Sequence, residues 1–198
     1  MARVARTREE VIEDLLDLDR HYAAFVQNYS REQLNWRPAN GAWSVAQCIQ
    51  HVARVNEIYL STIKAATARD HGRSGSKEPL QTAGWFSARF LKSVSPEGKP
   101  KLPAPRMARP SLESPTDPVR ELQKLQGTHA EIREMLTSSQ QPDLNRLRFR
   151  SPFIPLIHFT VASGILIMAA HGRRHLLQAE RVCNVSDFPR AEAAGRIA

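Results

Sequence analysis

The run 161–170 constrains the fold of this chain most, because every residue in it is apolar or small. Thr160 precedes the run and can accept a hydrogen bond at a helix start, so the pattern predicts a helix that is buried on several sides. We expect this helix to continue past His171 and His175 to about Val182. A helix without a polar face needs other helices around it, which favours a helical bundle.

Three further long helices are predicted from capping signals that are followed by apolar residues at helical spacing. Thr7, Ser30 and Ser44 each begin a capping box, although the second box opens only a short turn of helix. Asp117, with Pro118 at the first helical position, predicts the start of another long helix. Because the sequence contains no strand signal, we predict an all-α fold in which four long helices form a four-helix bundle.

The second and third long helices are separated by residues 70–117, where repeated glycine and proline break any long element. Only residues 83–91 can form a short helix, which would lay Trp85 and Phe90 over the bundle as a lid. A surface loop anchored by these aromatics is the alternative. We predict one domain over 1–185 that includes this irregular insertion, followed by a flexible tail over 186–198.

The chain carries a formal net charge of +8 and has a pI of about 10.1. Its lysines and arginines are spread along the sequence without a long run or alternating aromatics, which disfavours nucleic-acid binding and indicates a basic solvated surface. No apolar stretch approaches 18 residues, so we expect a soluble cytoplasmic protein without a membrane partner. Cys48 and Cys183 lie in apolar helical patterns and are expected to be core thiols.

Histidines suggest a metal site. His171 and His175 are four residues apart on one predicted helix, so both imidazoles can point at one ion. His51 lies two turns into the second long helix, and it comes level with this pair if the second and fourth helices run antiparallel. Three neutral imidazoles would bind Zn²⁺, Ni²⁺ or Fe²⁺ and leave a position for water or substrate. Core or solvated histidines are the alternative, and the absence of glutamate after His171 rules out the His-Glu-x-x-His signature of zinc proteases.

Three other residues are candidate catalytic groups that could move a proton near such a site. His129 lies on the apolar seam of the third long helix, where a lone histidine is more often a hydrogen-bonded core residue than a ligand. His158 lies shortly before the Thr160 cap of the last helix, and Glu57 follows His51 on the second. The sequence alone does not place His129, His158 or Glu57 relative to the metal.

Two blocks of the sequence resemble the DinB-like superfamily of metal-binding four-helix bundles. One is the turn Trp36-Arg37-Pro38 that leads into the helix of His51, and the other is His171-Gly172-Arg173-Arg174-His175-Leu176-Leu177-Gln178. The resemblance implies an up-down-down-up bundle that holds a divalent metal through His51, His171 and His175, and a homodimer. Relatives include S-transferases and isomerases that use low-molecular-weight thiols such as bacillithiol or mycothiol, and others look like metal-dependent hydrolases.

Together these features predict a divalent-metal-dependent enzyme, either a thiol-dependent S-transferase or a hydrolase, that acts on a small electrophilic molecule. The metal would lower the pKa of a bound water or thiol near neutral pH. The alternative is a non-catalytic, stress-related bundle that binds a metal or ligand, which the missing general base favours. The insertion 70–117 departs from the short-loop members of the family and should border the metal cleft.

Overall fold

The computed structural model describes residues 4–39, 41–69, 77–99, 103–112, 114–138 and 142–190, and it is mostly helical. Four helices are long and two are short, and a 3₁₀ turn covers Arg106–Ala108. In chain order the helices are α1 (Arg8–Asn28), α2 (Arg31–Asn35), α3 (Val45–Thr67), α4 (Gly84–Val94), α5 (Pro118–Thr137) and α6 (Val161–Cys183). The four long helices match the four predicted ones.

Short strands accompany the helices, although the chain is mostly helical, which is consistent with the predicted all-α class. β1 (Ala5–Arg6) pairs antiparallel with β2 (Leu80–Gln81), and β3 (Arg148–Arg150) pairs antiparallel with β4 (His158–Thr160). Segments of two or three residues are too short to show the alternation that marks a strand. Their pairing is therefore decided by the tertiary fold rather than by local sequence.

The predicted helix starts are confirmed by capping contacts. The residues whose side chains accept a backbone N–H at the start of a helix are Thr7, Ser30, Ser44, Asp117 and Thr160. At the first three of them the side chain three residues later bonds back to the capping residue, which completes the capping box. These local signals fix where α1, α3, α5 and α6 begin.

The long helices pack as a bundle, in which α3 and α1 each contact both α5 and α6. The buried Tyr22 hydroxyl of α1 donates to the Gly172 carbonyl of α6 at 2.8 Å. Two apolar clusters fill the interior, and α6 contributes residues to both, as its apolar sequence predicts. Even so, none of the helices in the described part of the chain is long and apolar enough to span a membrane.

The insertion contributes α4, which packs against α6. Phe90 lies against Phe159 of β4, with 5.4 Å between the ring centroids. Trp85, however, is 65% exposed, so the expectation that it covers the bundle was wrong. The buried face of α4 is formed by Ser87, Ala88 and Leu91, and Trp85 lies to one side of that face in the first turn.

The segment after α6 contains a packed residue. Phe188 is only 4% exposed, and its ring lies edge-on to the rings of Tyr29 and Trp36, at 5.3 and 5.7 Å. Phe188 thus packs against aromatic residues near the ends of α1 and α2, and the flexible tail over 186–198 stays a prediction. Residues 191–198 lie outside the described part of the chain.

Candidate metal centre

The structure brings His51, His171 and His175 together. The ring centroids are 5.1 Å apart for His51 and His171, 4.6 Å for His51 and His175, and 4.5 Å for His171 and His175. The ring nitrogens that could act as ligands all lie within 4.8 Å of one another. The arrangement is thus a three-histidine group that could hold a metal ion.

Local sequence positions these rings. The cap at Ser44 starts α3 two turns before His51, and Thr160 starts α6 well before His171 and His175. The four-residue spacing on α6 puts both of its imidazoles on one side of the helix. Because His51 contacts His171 and His175, the beginning of α3 lies beside the later part of α6, which is the arrangement expected from the sequence.

The hydrogen bonds of the three rings suit metal ligation. His51 Nδ1 donates to the Ala108 carbonyl at 2.7 Å, so in the neutral ring Nε2 keeps its lone pair. The buried Nδ1 atoms of His171 and His175 have no hydrogen-bond partner within the described structure. Buried polar atoms are seldom left unpaired, so these two nitrogens fit a site that a cation would complete.

Each ring favours its uncharged form. Burial lowers the pKa of His171 to about 3, with smaller contributions from the nearby His51 and Arg174 charges. Burial likewise lowers the pKa of His175 far below its ordinary value; the other two histidines and Arg174 act in the same direction, and the Gln178 side chain opposes them. The pKa of His51 is lowered by burial and partly restored by its bond to Ala108. Neutral imidazoles are the form that binds metal ions.

Trp43 belongs to the same group. Its ring centroid lies 4.8 Å from that of His51 and 5.8 Å from that of His175, and it is nearly parallel to the latter ring. Trp43 directly precedes the Ser44 cap, so the turn that starts α3 also places an indole against two of the three imidazoles. The position of Trp43 next to the Ser44 cap is the sequence signal from which its contact with the histidines could have been predicted.

A cleft of about 1070 Å³ opens beside the histidines and is bordered by the insertion, as predicted. Arg174 of α6 fixes one edge, because its Nη1 donates to the carbonyls of Ser93, Ser95 and Gly98 at 3.3, 2.8 and 3.1 Å. A side chain at Gly98 would lie 2.3 Å from the Ser93 oxygen, so this turn needs glycine. None of these backbone contacts has a sequence signature.

The three candidate catalytic residues lie elsewhere. His129 is fully buried between α1 and α5, where its Nδ1 donates to Asp19 Oδ1 at 2.6 Å. His158 is exposed on β4, and Glu57 is exposed on α3. None of the three is among the residues that line the cleft.

These features define a helical-bundle protein with a three-histidine group that could hold a metal ion. The sequence profile of the DinB superfamily matches residues 15–179, a span that reaches from α1 into α6 and contains all three histidines. The chain therefore belongs to the DinB superfamily, as its two sequence blocks indicated. No curated protein and no solved structure matches it significantly.

Proposed function

We propose that this chain is a divalent-metal-dependent enzyme, an S-transferase or a hydrolase, that acts on a small electrophilic molecule. The observation that supports the proposal is the convergence of three uncharged imidazoles on a cleft large enough for a small molecule. His51, His171 and His175 would hold Zn²⁺, Ni²⁺ or Fe²⁺, all of which imidazole suits. A low-molecular-weight thiol would be the cosubstrate of the transferase.

The ion, when bound, would supply Lewis acidity that lowers the pKa of a water molecule or a thiol. Neighbouring groups of the protein would orient the imidazoles that hold the ion. The Ala108 carbonyl fixes the tautomer and the ring plane of His51, and the Trp43 indole limits the rotation of His51 and His175. Arg174 holds the edge of the cleft in place through the three carbonyls.

We also propose that the bundle has the up-down-down-up order of the family. The histidine group joins the beginning of α3 to the later part of α6, which supports opposite directions for these helices. Asn56 contacts Thr128 and Lys64 pairs with Glu131, which supports the same direction for α3 and α5.

A single domain over 1–185, a cytoplasmic location and a homodimer stay predictions. Light scattering during gel filtration tests the dimer.

A non-catalytic metal- or ligand-binding protein is the second candidate. One observation favours it: Glu97 is the only acidic residue among the described residues that line the cleft. Its carboxylate is exposed and accepts a hydrogen bond from Ser95 Oγ at 3.0 Å. A protein without a general base near its metal would bind ligands without turning them over.

Turnover by the metal-loaded protein separates the two candidates. The purified chain is stripped with a chelator, reloaded with Zn²⁺, Ni²⁺ or Fe²⁺, and assayed with 4-nitrophenyl acetate, or with bacillithiol, mycothiol or glutathione plus 1-chloro-2,4-dinitrobenzene. We expect turnover that requires metal, is lost in His171→Ala and is kept in His21→Ala, which removes an exposed histidine of α1. A protein that binds metal but turns over none of these pairs would support the non-catalytic candidate.

A further inference from the structure

The cleft beside the histidines carries an excess of positive charge. The charged residues among its described lining are Lys99, Arg174, Arg181 and Glu97. Three of the four are cations, and no ion pair within the described structure joins Glu97 to any of them. An anionic ligand would therefore be favoured over a neutral or cationic one of the same shape.

Arg174 is the cation best placed to bind such a ligand. The acceptors of its Nη1 are three carbonyls, which are neutral and leave the charge of the guanidinium without a counter-ion. Its Nε and Nη2 have no hydrogen-bond partner among the residues that the structure describes. The carbonyls also hold the guanidinium in one orientation, so its remaining N–H groups are pre-organised for a carboxylate.

The part of the cleft that precedes His171 along α6 is apolar. Ile167 and Met168 precede His171 by one turn of α6, whereas Arg174 follows it by nearly one turn. From Ile167 to Arg174 the distance along the helix axis is about 10 Å. The apolar part is completed by Val55 and Tyr59 of α3 and by Phe153 and Ile154 of the loop between β3 and β4. Along α6 the lining thus changes from apolar at Ile167 and Met168 to cationic at Arg174, with His171 between them and His175 directly after Arg174.

We infer that the ligand of this cleft is an amphipathic organic anion, whose carboxylate binds Arg174 and whose apolar part lies against Met168 and Val55. The identification of this ligand as the substrate rests on the function proposed above, whereas its binding does not require the metal. Its reactive atom would lie between the two ends, next to His51, His171 and His175.

A matched pair of fluorescent probes tests the inference on the full chain, both chelator-treated and metal-loaded. The anion 8-anilinonaphthalene-1-sulfonate and the neutral N-phenyl-1-naphthylamine share an apolar body and differ in the sulfonate. We expect the anion to bind about tenfold more tightly, as one charge-assisted contact in a half-exposed site allows. Arg174→Gln should lower the affinity for the anionic probe by about the same factor and leave the affinity for the neutral probe unchanged.

Arg173→Gln is the matched control, because it removes the same charge from the neighbouring residue. Arg173 is paired with Asp14 and Asp17 and does not line the cleft, so this variant should keep the wild-type preference. Octanoate should displace the anionic probe at lower concentrations than octan-1-ol does. Arg174→Lys keeps the charge and should keep most of the preference if Arg174→Gln fails to fold.

Equal affinity of the wild-type protein for the two probes would overturn the inference. An equal loss of affinity for the anionic probe in both arginine variants would also overturn it. So would a loss of affinity for both probes in an Arg174→Gln protein with native circular dichroism, because that result would mark Arg174 as a purely structural residue. A chain that prefers the anion but shows no metal-dependent turnover would leave this inference standing and refute only the enzyme.

Discussion

The histidine cluster should make the metal-free protein sensitive to mild acid. The pKa of His171 is lowered by burial to about 3, whereas an unfolded histidine titrates at about 6.5. Between these values the unfolded chain binds a proton that the folded chain does not. The free energy of unfolding therefore falls as the pH is lowered from 7 toward 3.

Linkage gives the size of this effect. A group with pKa values of about 6.5 unfolded and about 3 folded loses about 2 kcal/mol of stability between pH 7 and pH 5. Because His171 is partly accessible to solvent, we expect about 1–2 kcal/mol from this residue. The lowered pKa values of His51 and His175 act with the same sign.

Urea unfolding at pH 7 and pH 5, with a chelator present, measures the effect. His171→Gln should reduce the loss of stability between the two pH values by about 1–2 kcal/mol relative to wild type. His158→Gln removes an exposed histidine outside the cluster, so this variant should lose as much stability between pH 7 and pH 5 as wild type does. Parallel losses in wild type and His171→Gln would refute the conclusion that burial keeps this ring neutral.

Three further substitutions test the supports of the site. Ser44→Ala removes the buried cap of α3 and should lower the free energy of unfolding by about 1 kcal/mol or more in urea titrations, whereas an unchanged midpoint would contradict the capping role. Gly98→Ala places a Cβ 2.3 Å from the Ser93 oxygen, so the turn must shift; we expect a melting temperature lower by several degrees in calorimetry, and an unaltered one would show that the turn is not tight. Phe188→Ala empties the pocket beside Tyr29 and should cost about 3 kcal/mol in urea unfolding, whereas a cost near zero would mean that the segment after α6 does not pack.

The helix boundaries and the three histidines could be predicted from the sequence because their signals are local. A capping box such as that at Ser44 lies within four residues, and the pair His171 and His175 lies within one turn. Placing His51 beside this pair required one further prediction, namely the direction of its helix relative to the last helix. The long connection 70–117 allowed that prediction, because it lets the second and third long helices run parallel, which sets the second helix antiparallel to the last.

The remaining parts of the site depend on contacts between distant segments. The Ala108 carbonyl that bonds to His51 and the carbonyls that bond to Arg174 belong to backbone groups, which every residue has. No residue pattern in the insertion distinguishes these carbonyls from others. β1 pairs with β2 across more than seventy residues, and neither segment is long enough to signal a strand by itself.

The metal content of the purified protein tests the central claim most directly. Elemental analysis of the wild-type chain should find close to one Zn, Ni or Fe ion per chain, and His158→Ala should match it. His51→Ala, His171→Ala and His175→Ala should each lose most of the ion, because each removes one of the three proposed ligands. A stoichiometric ion that persists in the purified His171→Ala protein would contradict the account.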